Sequence, residues 1–106
     1  MEVTQNNYGY DISFTVKKSD NTPEDLNGIQ GVKFQVADVD TYRNIIDADC
    51  VITDASNGIC TYTVQQGDFA KAGNFKASLQ IQYTPSKRLN TKSFFVTVNK
   101  QMAPNS

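Results

Sequence analysis

The run Phe75-Lys76-Ala77-Ser78-Leu79-Gln80-Ile81-Gln82-Tyr83 decides the fold class, because every second residue is apolar and every intervening one is polar. Successive side chains leave a strand on opposite sides, so this period of two describes a β-strand with one buried and one wet face. The pattern returns outward from this run. Tyr10, Ile12, Phe14 and Val16 alternate with Asp11, Ser13, Thr15 and Lys17, and Val32, Phe34 and Val36 alternate with Lys33 and Gln35. Cys60, Tyr62 and Val64 alternate with Thr61 and Thr63, and Phe94, Val96 and Val98 with Phe95 and Thr97. A further strand pair is expected around Arg43 to Ile46 and Cys50 to Thr53. Between these runs lie Ser19-Asp20-Asn21-Thr22-Pro23, Asn27-Gly28, Asn57-Gly58, Gln66-Gly67-Asp68 and Pro85-Ser86, which supply turn chemistry. The one helical candidate is a single turn at Asp68 to Ala72, capped at Gly73.

Short one-sided strands must bury their apolar faces against one another. The expected fold is all-β, an immunoglobulin-like antiparallel β-sandwich of about seven strands. The 106 residues suit one domain, expected over residues 1–99. From Lys100 to Ser106 the alternation is lost, which reads as a tail or the start of a linker.

Ten Lys and Arg against eleven Asp and Glu leave a net charge of −1, and only Lys17-Lys18 and Lys87-Arg88 are adjacent basic pairs. Binding a phosphate backbone needs a concentrated basic face, so no nucleic-acid partner is expected. No apolar run reaches the length of a membrane span and the first residues lack signal-peptide character, so no membrane partner is expected either. Asparagine is frequent, yet no Asn-x-Ser/Thr acceptor occurs.

There is no histidine. That removes the commonest general base, every Ser-His-Asp arrangement and most zinc sites, so the expectation is a non-enzyme with no catalytic residues, no cofactor and no metal. Asp38-Val39-Asp40 and Asp47-Ala48-Asp49 could offer oxygens to calcium, but turn-capping acids are the commoner use of such pairs. If Asp54 to Gly58 form a hairpin loop, Thr53 pairs with Ile59, Ile52 with Cys60 and Cys50 with Tyr62. Cys50 and Cys60 then sit diagonally on one face at about 7–8 Å, a separation that does not favour a disulfide. A loop shifted by two residues would bring them opposite each other and allow one.

Tyr10, Tyr62 and Tyr83 fall on the core phase, whereas Tyr8 and Tyr42 fall outside it, in expected loops where a flat ring could stack on a sugar. Phe95 occupies the outward phase of the last strand, where it reads either as a solitary exposed apolar residue or as a contact to a neighbouring domain. The interaction candidates are therefore Phe95, Tyr8 and Tyr42.

Several segments, in order, carry a family resemblance. After the strand Tyr10 to Val16 come Asp20-Asn21-Thr22-Pro23, Asp25-Leu26-Asn27-Gly28 and Val32-Lys33-Phe34. Asn57-Gly58-Ile59-Cys60-Thr61-Tyr62 and Phe69-Ala70-Lys71-Ala72-Gly73-Asn74-Phe75 follow. From about Tyr8 to Asn99 the chain resembles the N-terminal domain of phage baseplate upper proteins. The resemblance implies an immunoglobulin-like attachment domain of a virion structural protein, docking receptor-binding parts onto the tail. It also implies other tail or baseplate proteins as partners, a place in the virion tail after assembly in the bacterial cytoplasm, and oligomers only in the full assembly. The alternative for such a fold is a carbohydrate-binding or adhesion module.

Overall fold

The computed structural model describes residues 1–102 of the chain. Nine strands lie among them: β1 (Glu2–Thr4), β2 (Asp11–Thr15), β3 (Gly31–Asp38), β4 (Asn44–Asp49), β5 (Val51–Asp54), β6 (Ile59–Thr63), β7 (Gly73–Thr84), β8 (Lys87–Asn90) and β9 (Phe94–Asn99). They form two layers of an immunoglobulin-like sandwich. The larger sheet runs β1-β9-β7-β3-β4, with β8 also on β7, and the smaller runs β2-β6-β5. The two strands beyond the seven expected are β1, of three residues, and β8, whose residues are all exposed. Neither shows the alternation that a half-buried strand imprints on its sequence.

β7 is the spine of the larger sheet. One edge pairs with β3 from Gly31↔Gln82 to Asp38↔Phe75, and the other pairs first with β9 and then with β8. Its inward residues Phe75, Ala77, Leu79 and Ile81 are buried with Val32, Phe34 and Val36 of β3 and with Val96 and Val98 of β9. Across the layers the Phe34 ring lies 4.9 Å from that of Phe14 and 5.3 Å from that of Tyr62.

β4 and β5 were expected as partners but belong to different sheets. The chain changes layer at Cys50, whose N–H bonds to the Val32 carbonyl at 2.8 Å. The β5–β6 hairpin keeps the expected Ile52↔Cys60 pair, but a bulge at Thr53 puts Asp54 opposite Ile59. Cys50 therefore lies at the crossing instead of opposite Tyr62. Both cysteines are free, Cys60 buried and Cys50 half-buried. The neighbouring Cys60 thiol first, and burial second, push the Cys50 thiol up and keep it neutral. Thiol titration of the native protein is expected to give little reaction, denaturation should release both thiols, and reductant should leave the Tm unchanged. Finding no thiol after denaturation would contradict this.

The helical turn expected at Asp68 to Ala72 does not form. A turn at 66–69 stands in its place, and the helical segment among the described residues is the 3₁₀ turn Ala55–Asn57. The Asp68 carboxylate closes the 66–69 turn by accepting the Gln65 N–H at 2.8 Å and the Tyr62 hydroxyl. Burial first and that bond second push the Tyr62 hydroxyl pKa up. β9 ends at Asn99, where the alternation also ends. Of the expected tail, 103–106 lie outside the described residues.

Candidate docking surface

The outward face of the larger sheet carries two of the three aromatic candidates. β9 pairs with β7 so that Phe95 stands opposite Lys76, and β3 places Ala37 on the other side of Lys76. A register shift after Val36 puts Asn44 of β4 opposite Ala37 and leaves Ile45 without a partner, as a bulge does. One row thus crosses four strands as Phe95, Lys76, Ala37 and Asn44. Phe95 is 62% exposed. The Lys76 ammonium sits 5.7 Å from its ring centroid, where the electron-rich face attracts a cation.

Tyr42 reaches the same face from the β3–β4 turn. The turn is built on Asp38, whose carboxylate accepts the Asp40 N–H at 2.8 Å and the Thr41 N–H at 3.4 Å. The Asp38 carbonyl accepts the Tyr42 N–H at 2.9 Å. The Asp40 N–H foremost, and then the Thr41 N–H, hold the Asp38 carboxyl below its ordinary pKa, and Lys71 at 3.9 Å adds to them. Asp38 therefore caps a turn, and no group of three or more metal-ligating side chains converges among the described residues. With its φ of 56°, Tyr42 is turned outward and is 72% exposed. It borders a shallow hollow of about 280 Å³ that also touches Asn44, Ala37, Gln35, Lys76 and Ser78.

Tyr8 is 56% exposed but lies apart from this hollow, on the loop joining β1 to β2. The N–H of the adjacent Gly9 bonds to the Val64 carbonyl at 2.8 Å. The structure thus brings Phe95 and Tyr42 to one face and leaves Tyr8 at the end of the sandwich. Lys76, which links the two, was missed in the sequence because a lysine on the wet phase of a strand looks like any other. What the arrangement offers is contact: flat apolar rings, one cation and amide and hydroxyl groups, without an acid–base pair or a deep cleft.

The sequence matches the BppU N-terminal domain family over residues 2–105. No curated protein matches it. Among solved structures it is similar to CopC from Methylosinus trichosporium OB3b, at 8% identity and a TM-score of 0.57, covering 98% of this chain and 87% of that one. At that identity the likeness is one of fold.

Proposed function

The chain belongs to the BppU N-terminal domain family of phage baseplate structural proteins, and on that premise we propose that it is a non-catalytic attachment domain. It docks onto other tail or baseplate proteins through the outward face of its larger sheet. The observation that carries this reading is Phe95, a large ring left 62% exposed in a row whose next residues, Lys76 and Ala37, are polar or small. Interfaces concentrate their affinity in a few aromatic anchors that lose water on contact, and Phe95, with Tyr42 across Lys76, has that character. On this reading residues 1–99 are the folded unit and 100–106 a tail or linker. Assembly takes place in the bacterial cytoplasm, where free thiols such as Cys50 and Cys60 persist.

Phe95→Ser and Tyr42→Ser are both exposed changes, so each should alter stability by no more than about 0.5 kcal/mol. Loss of an anchor worth about 2 kcal/mol should reduce incorporation into particles roughly thirtyfold under competition with the unaltered chain. Equal incorporation of both variants and the wild type would remove this face from the interface. A glycan-array signal abolished by changing Tyr8 or Tyr42 would instead support the adhesion module.

A further inference from the structure

The smaller sheet has three strands against the five successive strands of the larger one, and the shortfall lies beside β2. On the opposite side the chain itself closes the sandwich by passing from β4 to β5 at Cys50. Among the described residues β2 pairs only with β6. The bonds Val64 N–H to Tyr10 O and Val16 N–H to Gly58 O fix which residues face β6: Tyr10, Ile12, Phe14 and Val16. The N–H and C=O groups of Asp11, Ser13 and Thr15 therefore point away from the sheet, with no backbone partner among the described residues.

Other edges are blunted in ways that discourage strand pairing. β1 has three residues, β8 has four and opens with Lys87 and Arg88, β5 carries the bulge at Thr53, and β4 carries the bulge at Ile45. β2 has five residues in unbroken register, without a bulge or proline. Beside it opens a mainly apolar slot of about 390 Å³, lined by Ile12, Phe14, Leu79, Thr91 and Phe94. Ile12 and Phe14 are only half-buried, unlike the inward residues of β3 and β7. Among the described residues Lys17 is the one charged side chain that lines the slot, which Met1 also borders with its N-terminal ammonium held by the Phe95 carbonyl.

We propose that β2 is a strand-addition site, which accepts an extended segment of another virion protein as a fourth strand of the smaller sheet. The segment presents apolar side chains at alternate positions to the slot and a carboxylate to Lys17. Its backbone pairs with Asp11, Ser13 and Thr15, and the length of β2 calls for about five residues at roughly 3.3 Å each. The β2 strand of a second copy does not serve as this segment, because its Ile12 and Phe14 face its own core and would leave the slot unfilled. The virion origin of the segment rests on the attachment reading, whereas the strand geometry does not.

The test follows amide hydrogen exchange of the full chain with a synthetic peptide in which valine and threonine alternate and which bears aspartate at one end, made in both chain senses. Saturating peptide should slow exchange at Asp11, Ser13 and Thr15 by roughly tenfold or more. Ser13→Pro removes an outward N–H without breaking the β2–β6 ladder, so it should abolish the protection, while Ser13→Ala should retain it. If Ser13→Pro unfolds the chain, Thr91→Trp, which fills the slot, replaces it. Protection at β5 or β1 instead, protection that survives the blocking variant, or protection that rises with the chain's own concentration alone would each overturn the proposal. The same amides are then compared in assembled particles. Peptide protection without incorporation of the wild-type chain would sink the virion reading but keep the strand site. Incorporation with β2 still exchanging freely and no peptide protection would do the reverse.

Discussion

Phe34→Ala is expected to cost about 3–5 kcal/mol, measured as a fall in the urea midpoint at constant slope. Phe34 is 0% exposed, and its ring meets Phe14 and Tyr62 of the opposite sheet at 4.9 and 5.3 Å. Truncation removes the transfer energy of the ring and leaves a void that both layers would have to close. Those layers are held apart by the other buried residues of β3 and β7, so collapse is incomplete. A domain of this size has roughly 5–15 kcal/mol in total, so the variant would be near unfolding at physiological temperature. Lys33→Ala, one residue away on the wet face, should stay within about 0.5 kcal/mol. Comparable losses from the two would show that β3 is not one-sided.

Gly58→Ala should be almost as damaging, for a reason in the backbone. Gly58 has a φ of 70°, and a Cβ there would lie 2.6 Å from the Val16 carbonyl oxygen and 2.7 Å from that of Glu24. Both oxygens belong to main chain fixed by hydrogen bonds, since Val16 N–H bonds to Gly58 O and Glu24 N–H to Val16 O, each at 2.8 Å. The left-handed conformation alone costs about 1–2 kcal/mol for a residue with a Cβ. The forced shift of two backbone segments should bring the total to about 3 kcal/mol or more. Gly28 has a φ of 79° with nothing within 4 Å of the added carbon, so Gly28→Ala isolates the conformational part. If the two alanine variants prove equally stable in urea, the close approach at Gly58 is not what the site requires glycine for.

The alternating runs were legible because burial on one face of a sheet is written directly as period two. β2, β3, β6, β7 and β9 all lie within or beside the runs that show it. Long-range choices leave no such mark. Cys50 changes sheet through one hydrogen bond to Val32, and nothing local distinguishes it from a strand residue. Leu26 and Phe69 are each 1% exposed yet sit in loops, where burial has no period to reveal it. Phe95 could be found because it breaks its strand's alternation. The slot beside β2 could not, since it is assembled from Ile12, Phe14, Leu79 and Phe94, residues far apart in the chain that are all simply apolar.

The parallel pairing of β1 with β9 has a mechanical consequence. Glu2, Val3 and Thr4 run alongside Thr97, Val98 and Asn99 in the same direction, bracketed by the bonds Thr97 N–H to Met1 O and Gln5 N–H to Asn99 O. Tension applied between residue 1 and residue 99 therefore pulls these two strands lengthwise past each other. Their hydrogen bonds share the load and must break together, whereas an antiparallel pair pulled from adjacent ends would peel open one bond at a time. A domain pulled between these two points would transmit force along its length before yielding.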